Sequence, residues 1–216
     1  MVEELLRLHE EIGDLQGIGK IRLKKVQILE GAFRLEEAIQ LLQQASNEID
    51  PQREPRLFAY TRYNLLGCLA LAERYDEAEQ LLPEVRNLLR EDAQPLDLVR
   101  LQWAEGLIHL GLNRLGPAEA AFREVQREFL ARGMGYDAAL VSLDLARLYA
   151  QEGCTDDLKK LASELMPIFE SRDVHREAIL ALLMFQRACE EERMTVEMIR
   201  EVAAFLRRER RSNGPG

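Results

Sequence analysis

The chain has 216 residues, of which 47% are apolar and 31% are charged, and this composition excludes a disordered or collagen-like protein. Its 29 Lys and Arg residues against 38 Asp and Glu residues give a net charge of −9, which disfavours binding to nucleic-acid phosphates. No apolar stretch approaches the roughly 18 residues of a membrane helix, and the acidic N-terminal sequence differs from a secretory signal, so we predict a cytoplasmic location without membrane binding.

A sequence block recurs without gaps at positions 34, 74, 114 and 154. Arg34–Leu42 aligns with Arg74–Leu82, then with Arg114–Phe122, and more weakly with Cys154–Ala162. Apolar residues recur at spacings of three and four on both sides of the break before each block, which predicts two helices per copy. No alternating apolar and polar run is long enough for a sheet. The sequence therefore predicts an all-α fold built from antiparallel helical hairpins in series.

The first predicted element is a half repeat over residues 1–13. A shift by one repeat period aligns it with the second helix of the next unit, and its apolar residues Leu5, Leu8 and Ile12 share one face. Repeat arrays normally cover such an edge with a polar cap, because each unit buries its face against its neighbours. We therefore expect either that the chain is the tail of a longer protein or that a second copy or a partner protein covers this edge.

Five complete hairpins follow in one repeat domain. Their predicted ranges are about 14–53, 54–94, 95–134, 135–172 and 173–211, with a disordered tail over 212–216. Pro and Gly residues in the longer connections stop each preceding helix, and Asp97 and Asp137 are placed to cap the next one. In the last helix we expect Met198, Val202 and Phe205 to face inward.

The repeated unit resembles the tetratricopeptide repeat. In the fourth unit Leu145-Ala146, Tyr149 and Gly153 stand where that family has leucine, a small residue, an aromatic residue and glycine. The period of 40 is longer than the family's usual length of about 34, and Trp103 lies one place from the family's tryptophan. The resemblance implies a right-handed α-solenoid over nearly the whole chain.

Two further segments, Arg74–Glu79 and Trp103–Gly106, are similar to the C-terminal repeat region of large bacterial regulators. In those proteins the repeats follow a zinc-binding anti-sigma-like domain or a helix-turn-helix domain. The resemblance implies that this chain is the repeat module of such a regulator.

The resemblance to tetratricopeptide repeats also implies a partner-binding surface. In that family the first helices of the units line a concave face that binds peptides or partner proteins. The family's inward-facing positions correspond here to Tyr60, Tyr63, Arg100, Trp103, Leu107, Leu143 and Arg147. Aromatic and arginine residues are enriched in binding hot spots, so we expect these residues to contact a partner. The alternative that Trp103 is a core residue stays open.

Motifs for catalysis, metal binding or nucleotide binding do not occur in the sequence. The histidines and cysteines are widely spaced and match neither a zinc motif nor a disulfide framework: His9, His109, His175, Cys68, Cys154 and Cys189. The stretch from Gly13 to Lys20 departs from a phosphate loop in its spacing and lacks the required Ser or Thr. Acidic pairs such as Glu36-Glu37 recur at predicted helix starts, where negative charge is favourable.

We therefore expect a scaffold for protein–protein interaction, with no catalytic residues and no cofactor, that binds a peptide or partner protein on its concave face. Two alternatives remain at this point. One is a homodimerisation module that uses the edge at Leu5, Leu8 and Ile12, and the other is a peptide-sensing regulator.

Overall fold

The computed structural model describes residues 15–32, 34–90, 93–170, 176–190 and 194–212. Within these ranges every regular element is an α-helix and none is a strand, which confirms the predicted all-α class. The chain divides into two compact units, residues 1–104 and 105–216, with the boundary inside a helix. The repeat pattern led us to expect one domain. Packing between helices that are neighbours in sequence explains why contacts concentrate within each unit.

Ten helices lie in the described ranges. They are α1 (Leu15–Gly31), α2 (Leu35–Glu48), α3 (Pro55–Leu71), α4 (Tyr75–Leu88), α5 (Pro95–Gly111), α6 (Leu115–Ala131), α7 (Gly135–Glu152), α8 (Thr155–Glu170), α9 (Arg176–Glu190) and α10 (Val196–Ser212). Helices α2, α4, α6 and α8 begin one repeat period apart, and so do α3, α5 and α7.

The turns between paired helices share one backbone conformation. The N–H groups of Arg34, Arg74, Arg114 and Cys154 each donate to the carbonyl five residues earlier, over 2.8–3.0 Å. The residue before the donor has a positive φ at Glu73 (59°), Asn113 (57°) and Gly153 (71°). This combination is the left-handed helix ending known as a Schellman motif. The aligned sequence blocks therefore follow equivalent turns.

Small residues set the spacing between paired helices. Ala38, Ala78 and Ala118 lie in the first turn of the second helix of three hairpins, and each is completely buried. In α5 a Cβ at Gly106 would lie 2.6 Å from Cε1 of Phe122 in α6, so only glycine fits at this crossing. The repeat thus preserves small residues where two helices approach closely.

In the first unit α1 packs on α2, α2 on α3 and α3 on α4, and α1 also reaches α3. Charged side chains join these helices on the surface. Arg74 at the start of α4 contacts Glu77 at 2.6 Å and also reaches Glu36 in α2 at 2.9 Å. Arg62 in α3 pairs with Glu84 in α4, with its Nε 2.8 Å from Oε1.

In the second unit α7 is the central helix. Helices α6, α8 and α10 all pack against it, and most of its residues between Gly135 and Tyr149 are buried. The phenol of Tyr149 accepts from Arg123 and donates to Glu119 in α6, both over 2.6 Å. Helix α9 packs on α8 and on α10. The last hairpin therefore covers α7 with its second helix.

The buried face of α10 differs from our expectation. Ile199, Ala203 and Leu206 are its buried residues, whereas Met198 is 38% exposed. The predicted stripe was one residue out of phase, which corresponds to a rotation of about 100° around the helix axis. Both stripes are apolar, and the contact with α7 determines which one is buried.

Candidate partner-binding surface

A stripe of partly exposed residues runs along α3 in the first unit. Tyr60, Tyr63 and Gly67 are spaced by three and four residues, so they lie on one side of the helix. Tyr60 is 38% exposed, and Tyr63 and Gly67 are half-buried. The opposite side of α3 holds the buried Leu65 and Leu69, each 3% exposed. The helix therefore presents an aromatic stripe outward while its aliphatic side packs in the core.

The beginning of α5 joins this stripe through Asp97. The Tyr60 hydroxyl donates to Oδ2 of Asp97 over 3.3 Å, and the backbone N–H of Gln94 donates to the same oxygen over 3.2 Å. The second bond caps the N-terminus of α5, so Asp97 does cap its helix, from the third helical position. The negative charge of Asp97 raises the pKa of Tyr60. The phenol consequently remains a neutral hydrogen-bond donor.

Tyr63 lies close to charged groups from two helices. Burial raises its pKa most, the Arg100 cation opposes this shift, and the carboxylates of Asp97 and Glu30 add to it. Arg100 and Trp103 are half-buried and lie one turn apart on α5. We call the set of Tyr60, Tyr63, Gly67, Arg100 and Trp103 the aromatic face. It combines aromatic rings, a guanidinium group and a glycine on two helices of the first unit.

Gly67 forms an indentation in the aromatic face. A Cβ at this position would meet no atom within 4 Å other than the excluded atoms of its own helix. In contrast, a Cβ at Gly19 in α1 would lie 2.4 Å from Cδ2 of Leu57 in α3. Glycine in the middle of a helix costs about 0.5–1 kcal/mol relative to alanine. Helix packing explains this cost at Gly19, but the described structure contains no such contact at Gly67.

The other three residues predicted for the concave face lie in the second unit and are buried. Leu107 is 6% exposed, Leu143 is completely buried and Arg147 is 7% exposed. For Leu143 and Arg147 the reason is α10, which packs on α7 and covers the side that carries them. These two residues therefore do not offer an open surface to a partner, and this part of the expectation is corrected. The members of the predicted set that are partly exposed all lie in the first unit.

Helix α10 is held on α7 by polar contacts that the sequence did not reveal. Nη2 of Arg207 lies 3.4 and 3.5 Å from the two carboxylate oxygens of Asp144, which is completely buried. Arg147 lies 3.7 Å from the same carboxylate. The Tyr136 hydroxyl donates to the carbonyl of Leu206 over 2.7 Å. The sequence does contain one signal for this contact. Asp144 interrupts an apolar run, and a carboxylate that is buried among apolar residues requires a cationic partner.

The predicted edge residues Leu5, Leu8 and Ile12 lie outside the described residues. The homodimer that depends on them remains an expectation from the sequence.

A separate cavity of about 510 Å³ lies in the first unit between α1, α2 and the beginning of α3. Its walls are mainly aliphatic and include Val26 and Leu42. At its mouth Arg22 pairs with Glu48, and Arg53 lies 3.5 Å from Asp50. The charged groups at the rim therefore pair with each other, and the aromatic face lies on a different side of α3.

Two of the cysteines are poorly suited to nucleophilic chemistry. Burial raises the pKa of Cys189 to about 12, so this thiol is protonated and a weak nucleophile at neutral pH. Burial also raises the pKa of Cys154. The described part of the chain contains no group of three or more metal-binding side chains. Nor does any helix described there combine the length and apolar character needed to span a bilayer.

Comparisons with known proteins show a similarity of fold to a solved structure. No protein-family model matches the chain, and no curated protein sequence matches it. The crystal structure of BtubC (BKLC) from P. vanneervenii is similar, with a TM-score of 0.57 and 17% sequence identity. The match covers 100% of this chain and 89% of that chain. At this level of identity the similarity concerns the fold alone.

Proposed function

We propose that this chain is a non-catalytic protein-interaction module of the tetratricopeptide-like class, which binds a partner protein or peptide through the aromatic face. On this proposal the hairpins stack as a right-handed solenoid, and the chain is the repeat module of a bacterial regulatory protein. The observation that supports it best is the composition of the aromatic face. Tyrosine, tryptophan and arginine are the residue types that contribute most to binding hot spots.

The geometry of the face supports binding without rearrangement of the backbone. Tyr60, Tyr63, Arg100 and Trp103 project from helices, so their positions are fixed before a partner arrives. The hydrogen bond between Tyr60 and Asp97 further restrains one ring. A partner would remove the exposed parts of these rings from water at a small cost in side-chain entropy.

Site-specific photo-crosslinking tests this function. A photoreactive phenylalanine analogue replaces Tyr60 in the full chain, and cells of the source organism are irradiated. We expect a covalent adduct with a defined protein, because Tyr60 contacts the partner. Combining the photoprobe with Trp103→Ala in the same chain should reduce the yield about tenfold, since loss of a hot-spot side chain costs more than about 1 kcal/mol.

The matched control places the same photoreactive residue at Gln80, which is exposed on α4 away from the aromatic face. An adduct that forms equally well from Gln80, or that is insensitive to Trp103→Ala, would count against the proposal.

A further inference from the structure

We infer that the aromatic face binds an amphipathic α-helix of a partner protein, and that this helix crosses α3 at Gly67. The inference rests on the proposed function and specifies the partner's conformation, its crossing point and its charge. It follows from three observations: the way α7 receives α10, the unfilled space at Gly67, and the charges beside the face.

The second unit shows how the equivalent side of a first helix receives a helix. A shift by two repeat periods aligns Tyr60, Tyr63 and Gly67 of α3 with Leu140, Leu143 and Arg147 of α7. The α7 residues are covered by α10, which inserts Ile199, Ala203 and Leu206 with almost complete burial. Within one molecule, therefore, this side of the hairpin accommodates a helix with apolar residues at spacings of three and four.

Gly67 provides the independent observation. Its position in α3 needs no positive φ, and no neighbouring atom within 4 Å would oppose a Cβ. The glycine therefore weakens α3 without a packing contact inside the described structure to explain it. A glycine on a helix surface leaves room for close approach of a neighbouring helix, as Gly106 does for the Phe122 ring and the Ala121 Cβ of α6. A partner helix with a small residue at the crossing would fit this space.

The charges specify the polar edge of the partner helix. On α7 the buried carboxylate of Asp144 receives Arg207 from α10. Beside the aromatic face, the carboxylate of Asp97 and the π-surfaces of the tyrosine rings attract a cation, whereas the Arg100 guanidinium within the face attracts an anion. The partner helix should therefore carry both a basic residue, for Asp97, and an acidic residue, for Arg100, next to its apolar stripe.

The probe is a synthetic peptide of residues 194–212, which carries this pattern and contains no tryptophan. It is titrated into the full chain, whose only tryptophan is Trp103 on the aromatic face. We expect a saturable change in Trp103 emission and a gain in peptide helicity. Gly67→Leu should weaken binding about tenfold because a branched side chain fills the crossing point. Charge reversal of Arg207→Glu in the peptide should weaken it about threefold.

Gly116 provides the matched control, since it is exposed at the start of α6 and also has open space around a Cβ. Gly116→Leu should leave peptide affinity unchanged, and circular dichroism of both variants should show the native helix content. Absence of a Trp103 response, or equal peptide affinity for wild type and Gly67→Leu, would overturn the inference. If the peptide titration fails but the photoprobe at Tyr60 still forms its adduct in cells, only the inference about a partner helix is wrong. If the adduct also fails to form, the proposed function is wrong as well.

Discussion

The first helices α3 and α7 occupy equivalent positions in the repeat but differ in their exposure. On α3 the outward side carries Tyr60, Tyr63 and Gly67, all partly accessible to solvent. On α7 the aligned residues Leu140, Leu143 and Arg147 are buried beneath α10. The same backbone element is thus a surface in one unit and the centre of a core in the other.

The difference shows how sequence adapts one position of a repeat to two environments. The α7 side is mainly aliphatic and also holds the buried Asp144 and Arg147, and α10 provides Arg207 to the Asp144 carboxylate. The α3 side replaces these residues with amphipathic aromatic rings and a glycine, which tolerate water in the absence of a partner. We therefore interpret α3 as a side that remains available for an external helix.

The largest expected effect comes from removing the carboxylate that joins α7 to α10. Asp144→Ala leaves Arg147 buried without this partner, so the free energy of unfolding should fall by about 3–5 kcal/mol. Asn64→Ala changes the aligned position on α3, where the side-chain amide donates to the Tyr60 carbonyl at the surface. We expect this control to change stability by less than about 1 kcal/mol. Urea denaturation of both variants measures the difference, and equal losses would contradict the comparison.

The next effect concerns stability at alkaline pH. Burial raises the pKa values of Tyr149 and Tyr63 above the ordinary value of about 10, so both phenols stay protonated in the folded chain. Above pH of about 10 the unfolded chain loses these protons first, and stability therefore falls as pH rises. Ionisation of each tyrosine in the unfolded chain lowers the free energy of unfolding by at most about 1.4 kcal/mol per pH unit, until the pH reaches the pKa of that tyrosine in the folded chain.

Replacement by phenylalanine separates the two tyrosines. Tyr149→Phe and Tyr63→Phe should each reduce the slope of unfolding free energy between pH 10 and about 11.5. We expect reductions of similar size, because burial raises the folded pKa of both phenols well above this pH range. A slope that is unaffected by both substitutions would show that neither phenol is protected from ionisation.

At Gly67 we expect a smaller change in the free energy of unfolding, and this change is stabilising. Gly67→Ala should raise the free energy of unfolding by about 0.5–1 kcal/mol, because alanine favours the helix and meets no neighbour within 4 Å. Gly106→Ala should instead destabilise the chain, since its Cβ would lie 2.6 Å from Phe122. Thermal unfolding of both variants shows whether each substitution raises or lowers the stability of the chain. A destabilising Gly67→Ala would mean that internal packing explains this glycine.

The smallest effect is expected at the edge of the aromatic face. Tyr60→Phe removes one exposed hydrogen bond of 3.3 Å to Asp97, which should lower the free energy of unfolding by no more than about 0.5 kcal/mol. The ring remains available to a partner, so binding of the 194–212 peptide should persist. Peptide titration with Trp103 emission tests this, and a complete loss of binding would show that the hydroxyl, rather than the ring, is recognised.

The sequence predicted the helices and their turns well, because the blocks at Arg34, Arg74 and Arg114 record local chemistry. Acidic residues at helix starts and small residues at crossings act within a few positions of the chain. These features depend on contacts between residues that are close in the chain. Because they recur in every block, they can be recognised in the sequence.

The placement of α10 could not be predicted in the same way. Its sequence contains two adjacent apolar stripes, one with Met198 and one with Ile199, and only the receiving helix determines which is buried. Asp144 and Arg207 are far apart in the chain, and neither lies in a recognisable motif. For this reason Leu143 and Arg147 were assigned to an open face that α10 in fact covers.

The uniform turn after α1, α3, α5 and α7 has a consequence for the evolution of the chain. Because the backbone re-enters the next helix in the same way each time, the sequence can gain or lose one whole repeat block without requiring a new connection. In-frame duplication of residues 55–94 would add a second copy of α3 together with its tyrosines. Relatives of different length are therefore expected to differ by whole blocks of about 40 residues.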